Sequence, residues 1–501
     1  MDQAKAETKL NYLQVLSVVF LIFNDIQINY SLAPIFPDLV AQYFPQEEVG
    51  VWVGFITSIY FSMQIFSSAV WGWLADKYGR RPTLIAGIVG NNIGLIMFAF
   101  STSFTGATIA RCVCGLLSGC STIAKTYLGE LTDETNAHKA FGFLGIGYGL
   151  ALVVGPAMGG WLANPAESWD YFDNSFWITY PYLLAILVLI SFSLIAFFLT
   201  VAYLDETEPW LRANEANNSN EFAMDDKAQT PLRQGYDSMG ESSQDREEME
   251  AHFDFPCQFL NEFIPYKARR KLIFYVIFVF FLNVIMYMGY DVMFSVYAEA
   301  PREVGGLEFD PATTGLMMSV LGVAMMVWNV GFYKKVGAKL GTRDTVLFGL
   351  FGLFGLYVFF PSITAIDQNS SEGMSFGTFA FVVIAQSWRA VAGSSSTMAS
   401  QVLITQVTPS DVLGQVNGYA NGVAAIAKVL GPMASGGVWT ALQNADFTPF
   451  IKVAGTYWTF ALVGVLPCVA AMQLPKKFKI MTGRIEKPLP EPVDEDEVNE
   501  L

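Results

Sequence analysis

The chain has 501 residues, of which 53% are hydrophobic and only 15% charged. A soluble protein carries charge on roughly a quarter of its residues, so the composition argues against a water-soluble enzyme or nucleic-acid binder and for a protein of the bilayer. The formal charge of −16 does not point to a basic partner, because residues 205–262 hold 15 acids against four bases and residues 480–501 seven against two, which accounts for the whole excess.

Residues 1–10 are polar and mixed in charge and are followed by a long apolar run with no small-residue cleavage site. We read a retained first helix rather than a signal peptide. Apolar runs then predict twelve membrane helices, at 12–39, 51–73, 82–101, 104–127, 140–162, 177–204, 271–298, 311–333, 345–361, 376–404, 413–442 and 450–474. A helix needs about 20 residues to cross the hydrocarbon core. The domains are therefore a six-helix bundle over 1–204, an acidic linker over 205–268, a second six-helix bundle over 269–474, and an acidic tail over 475–501. The two acidic segments have the composition of solvated chain.

In the first helix, Asp25 stands mid-span with Asn24 and Asn29 near it. An ionisable residue inside a membrane helix is costly and is a functional candidate by default. Asp25 is the first candidate for proton coupling, with Asp291 of the seventh helix the second.

Between the second and third helices runs Gly72-Trp73-Leu74-Ala75-Asp76-Lys77-Tyr78-Gly79-Arg80-Arg81-Pro82. Gly72 permits close helix approach, Gly79 supplies turn freedom and Pro82 suits a first helical turn. Asp76, Arg80 and Arg81 place opposite charges at a membrane surface, and Glu130 and Asp133 follow the fourth helix on the same side. Together they make a candidate conformational latch. Asp76 is expected to face the start of the eleventh helix, whose positive end favours an anion.

The fourth helix carries Arg111, Gly115, Ser118, Thr122 and Lys125 along one stripe. In the fifth, Gly142, Ala151, Gly155-Pro156 and Gly159-Gly160 mark close packing beside a proline bend. The seventh has Asn283, Tyr287, Asp291 and Ser295 at steps of four, the tenth Arg389, Gly393, Ser396 and Ser400, and the eleventh Asn417, Asn421 and Lys428. Such stripes face a wet cavity or a neighbouring helix rather than lipid. The cavity candidates are Asn29, Arg111, Lys125, Asn283, Tyr287, Arg389, Asn421 and Lys428. Acids at Asp25 and Asp291 with bases at Lys125 and Lys428 suit a solute carrying both charges, such as a zwitterionic metal chelator or its complex. An internal Asp291–Lys428 pair is the alternative.

Lys and Arg cluster on one side of the span pattern, at the 77–81 loop, Lys139, residues 267–271, 334–343 and 476–479. The positive-inside rule therefore puts both termini and the linker in the cytoplasm. It also puts Asn369-Ser370-Ser371, a glycosylation triplet, outside. No Walker loop, nucleotide fingerprint or zinc-protease motif is present, and the two histidines, His138 and His252, lie outside the apolar runs. No cofactor, metal site or nucleic-acid partner is expected, and neither is enzymatic activity. The five cysteines do not suggest a disulfide framework.

The halves repeat. Arg111/Gly115 recur as Arg389/Gly393, Gly142 as Gly418, Gly155-Pro156 as Gly431-Pro432 and Gly160 as Gly436. Parallel repeats of this kind place a substrate site near midplane between two bundles. The second copy of the charged loop, Gly337 to Arg343, keeps a Gly and an Arg but has no Asp.

The loop G-x-L-A-D-x-x-G-R-R-P resembles the signature loop of the major facilitator superfamily of secondary transporters. That resemblance implies an all-α membrane protein of two pseudo-symmetric six-helix bundles, alternating access and function as a monomer. The fifth-helix glycines resemble a pattern associated with antiporters there, and Asp25 with Pro34 resembles a motif of drug:proton antiporters. Within the superfamily the chain is similar to the zinc-induced-facilitator-like transporters. The carrying stretches are Gly129-Glu130-Leu131-Thr132-Asp133, Leu204-Asp205-Glu206-Thr207, Asp291-x-x-Phe294-Ser295, Gly306-Leu307-x-Phe309, Asn417-Gly418 and Lys428-x-x-Gly431-Pro432. It implies a proton-coupled carrier of a small organic solute in a vacuolar or plasma membrane. Multidrug efflux, or a non-transporting sensor on the same fold, are the alternatives.

Overall fold

The computed structural model describes residues 10–132, 136–207, 267–367, 375–408 and 413–474. In hydrocarbon every backbone polar group must be satisfied within the protein, which long apolar helices do by themselves. The membrane helices are α1 (Tyr12–Leu32), α2 (Val49–Tyr78), α3 (Arg80–Ala99), α4 in two parts, α4a (Phe104–Leu117) and α4b (Cys120–Leu131), α5 (Ala137–Trp161) and α6 (Leu183–Tyr203). The second half has α7 (Lys267–Glu299), α8 (Pro311–Gly331), α9 (Thr342–Phe359), α10 (Phe376–Val407), α11 (Leu413–Gln443) and α12 (Pro449–Met472). Among the described residues there is no strand. Ten spans are long and apolar enough to cross a membrane on composition alone. The remaining two, α10 and α11, run for 32 and 31 residues and are diluted by buried serines, asparagines, Arg389 and Lys428.

Two helices expected to be continuous are not. After Leu32 the chain turns through Ala33-Pro34-Ile35 and restarts as a short helix, Phe36–Ala41, with Pro37 in its first turn. Proline lacks the N–H that a continuing helix needs and suits a helix start. The fourth helix breaks at Ser118-Gly119, where Ser118 leaves helical geometry at φ −90 and ψ 89. A Cβ on Gly119 would strike the ring of Trp71, whose Nε1 donates to the Leu116 carbonyl at 2.9 Å. The break is thus tied to a tryptophan from α2. The sixth helix also starts later than expected, because residues 165–179 form short helical turns instead.

The halves repeat in space. In the first, α5 packs on α1, α4 on α2 and α3, and α6 on α1 and α3. In the second, α11 packs on α7, α10 on α8 and α9, and α12 on α7 and α9. Between halves the two large contacts are α5 against α8 and α2 against α11. Glycine makes them close: a Cβ on Gly160 would meet the Pro311 carbonyl, on Gly315 that of Pro156, on Gly54 that of Pro432 and on Gly436 that of Gly50. The Ser58 hydroxyl donates to the Val429 carbonyl at 2.7 Å and Ser319 to Val153 at 2.7 Å.

All of these contacts lie at midplane or toward the end away from Gly79. Toward the Gly79 end the corresponding glycines face open space: Gly72 on α2, Gly418 and Gly422 on α11, Gly142 and Gly145 on α5, and Gly331 on α8 have nothing within 4 Å of an added Cβ. The glycine contacts between the bundles are thus concentrated at the end away from Gly79, the sealed end, and sparse at the other, the parted end.

Candidate functional site

The charged loop is built around Gly79, whose φ of +100 suits glycine. A side chain there would also run into the carboxylate of Glu206. That carboxylate accepts from the backbone N–H of Arg80 at 2.6 Å and of Arg81 at 3.2 Å, and so caps the start of α3. Arg80 pairs with Asp76 at 2.7 Å and with Glu130 at 2.8 Å. Glu130 also accepts from Thr207 Oγ1 at 2.6 Å. Arg81 takes a different role, donating to the Val201 carbonyl at the end of α6. Asp205 joins the assembly, accepting from Gln14 on its side chain and from the Tyr127 hydroxyl on its carbonyl. The end of α6 thus ties α1, α3 and α4b together. Asp76 is largely exposed, at 74% of its side-chain surface. Asp133 lies outside the described residues, as does Asn369.

Glu206 and Thr207 were not among the predicted site residues. Their available signal was an acid and a hydroxyl closing an apolar helix beside another helix start. In the second half, Gly341 at φ +82 repeats Gly79, and Arg343 repeats Arg81 by donating to the carbonyls of Ala471 and Met472 at the end of α12. The bracing arginine is common to both halves, and among the described residues the carboxylate latch is seen in the first.

At midplane, Asp25 is buried on α1 and accepts from the Ser118 hydroxyl at 3.3 Å, where the α4 break releases it from the helix. Ser118 in turn accepts from Tyr60 at 2.8 Å and Gln64 at 3.1 Å. Asn29, one turn beyond Asp25, donates to the Tyr60 hydroxyl and accepts from Arg111 Nη2 at 3.3 Å. Arg111 is 1% exposed, lies over the Tyr60 ring at 4.4 Å, and leaves Nε and Nη1 buried without a hydrogen bond. Lys125 on α4b and Lys428 on α11 both act electrostatically on Asp25. Lys125 is exposed and Lys428 half-buried. The Lys428 ammonium sits 5.8 Å from the Phe61 ring centre, at the α2–α11 crossing.

In the second half Arg389 Nη2 meets Asp291 at 2.6 Å and the Tyr287 carbonyl at 3.1 Å, with Tyr287 and Tyr290 flanking the guanidinium. Asp291 is therefore paired with Arg389 and not with Lys428, which corrects the alternative of an Asp291–Lys428 pair. Asn283 is fully buried between Thr397 and Ser396, to which it is hydrogen-bonded at 2.9 and 2.8 Å, so it fastens α7 to α10. The serines of α10 serve the same end, with Ser395 accepting from Trp328 and Ser394 bonded to Asn329. Asn421 is exposed on α11. Of the fifth-helix motif, Gly159 packs on the Ser31 backbone and Gly155 on Gln27, holding α5 to α1, while Gly160 and Pro156 meet α8 and Gly142 faces the open end.

Two bundles repeated in parallel and a charged loop at the α2–α3 turn describe a known architecture, and the Major Facilitator Superfamily model matches residues 15–432. The chain belongs to the major facilitator superfamily. Superfamily relatives include Protein ZINC INDUCED FACILITATOR-LIKE 1 of Arabidopsis thaliana, 24% identical over 436 residues, covering 86% of this chain and 84% of that protein. The class G tetracycline resistance protein of Vibrio anguillarum is 21% identical over 444 residues, covering 89% and 93%. Among solved structures, a D-xylose-proton symporter shares the fold with a TM-score of 0.64 at 16% identity, covering 94% of this chain and 99% of that one. The chain is a multi-pass membrane transporter and not an enzyme. Among the described residues no cluster could hold a metal ion.

Proposed function

We propose that the chain is a proton-coupled secondary transporter of a small organic solute, working by alternating access, with Asp25 as the coupling group and Asp291 in reserve. One observation carries this reading. Asp25 is a buried carboxylate at the centre of the bundle, hydrogen-bonded at the break in α4 and acted on by lysines from both halves. Gaining or losing one proton there changes the electrostatics on both sides of the path at once. The lysine and arginine distribution supports cytoplasmic termini, so the parted end is the cytoplasmic one. A vacuolar or plasma membrane and a functional monomer complete the reading. The test is uptake into proteoliposomes under an imposed pH gradient, screened over organic solutes. Asp25→Asn is expected to abolish accumulation driven by the gradient while solute exchange stays measurable. Accumulation that persists in this variant removes Asp25 from the role.

A further inference from the structure

Among the described residues, six acidic or basic side chains lie within the spans rather than at their ends: Asp25, Asp291, Arg111, Lys125, Arg389 and Lys428. Two carboxylates thus face four cations. Asp291 and Arg389 neutralise each other. Arg111 holds the place in the first half that Arg389 holds in the second, but its hydrogen-bond partner is the neutral Asn29. Among the described residues, Asp25 is then the one carboxylate left for Lys125 and Lys428, which also act on each other with like sign. Uncompensated cations in a bilayer are expensive, and this surplus sits where the two halves meet. It is the electrostatics of a site completed by an anion.

We infer that the transported solute is an organic anion, held through a carboxylate or a similar group between Lys125 of the first half and Lys428 of the second. The inference rests on the transporter reading above and narrows its solute. An amine group of a solute would find Asp291 already engaged by Arg389. Closing the parted end brings α4b and α11 together, so the two ammonium groups oppose closure unless an anion lies between them. The sign of coupling follows. The groups around Asp25 are Ser118, Cys120 and Lys125 on α4, Tyr60 on α2, Tyr148 on α5 and Lys428 on α11, and of these only the lysines are charged near neutral pH. Ionised Asp25 competes with the solute for them, and protonated Asp25 releases them. Proton and anion therefore bind cooperatively, each raising the affinity for the other by the same factor, and cross in the same direction.

The test is a spin-label distance between positions 72 and 418, introduced as Gly72→Cys and Gly418→Cys, in full-length protein in nanodiscs. With no solute, Lys428→Gln and Lys125→Gln are each expected to raise the closed, short-distance population roughly tenfold, the effect of two unit charges about 10 Å apart in a wet protein interior. Lys428→Arg should behave as the parent, which also controls for folding. Succinate, as probe, should close the parent protein, more at pH 6 than at pH 8, and tetraphenylphosphonium should not. Unchanged distances in the glutamine variants, closure by the cation, or no closure by succinate each overturn the anion assignment. Gradient-driven uptake of a cationic solute would overturn it too while leaving the transporter reading intact, whereas absence of any transport would sink that reading itself.

Discussion

Replacing Gly436 by alanine tests how the sealed end is held. A Cβ at Gly436 would overlap the carbonyl oxygen of Gly50, lie 2.8 Å from its carbon and 3.3 Å from the Cα of Gly54. These are backbone atoms, so no side-chain rotation relieves the overlap, and α2 and α11 must separate by about 1 Å to restore van der Waals contact. Overpacking of this kind costs about 1–3 kcal/mol, which is roughly 5- to 150-fold in a conformational equilibrium. The cost falls only on the state sealed at this end, so Gly436→Ala should shift the protein toward the state open there. Labels on the exposed Tyr171 and Glu308, in the connections at this end of the two halves, would report the shift as a longer distance. Gly437→Ala is the control, because nothing lies within 4 Å of its Cβ. A change of less than about twofold in the Gly436 variant, with the protein folded, would refute the argument that glycine contact holds the seal.

Other outcomes follow from the same geometry. Asp76→Asn should reach the membrane yet lose most turnover, measured in proteoliposomes, because Arg80 is left with one of its two carboxylates; unchanged rates would remove the latch. Glu206→Ala should lower thermal stability in detergent by about 1–3 kcal/mol, since two N–H groups at the start of α3 lose a charged acceptor, and Glu206→Gln should lose less. Arg389→Gln alone should cost about 3–5 kcal/mol by stranding a buried carboxylate. The double variant Asp291→Asn with Arg389→Gln should recover much of that in the same melt, and a double variant less stable than either single one would contradict the pairing.

The spans were legible because apolar length announces a membrane helix whatever its surroundings, and the loop because its glycines and charges act locally. Arg80 with Glu130 could be anticipated, both being charges at one membrane face. The break in α4 could not, because Ser118-Gly119 differs little from other small pairs and its cause, Trp71, comes from another helix. Asp291 was visible as a buried acid, but its partner was a choice among cations that only the packing of α7 on α10 decides. The polar stripe of α10 could line a cavity or bind helices; Ser396 with Asn283 and Arg389 with Asp291 fasten it to α7, while the Ser400 hydroxyl is buried without a hydrogen bond.

The break at Ser118 leaves α4b as a separate rod of 12 residues. Near its middle stands Lys125, within reach of Asp25, and one residue before its last is Glu130, holding Arg80. A single helical segment of about 18 Å turns as one piece, so no displacement of its foot leaves its upper part where it was. Loosening the loop and shifting the central lysine are then one mechanical event, transmitted along one crank. The α10 counterpart, unbroken from Phe376 to Val407, offers no such joint, and the second bundle is left as the anvil against which the first one works.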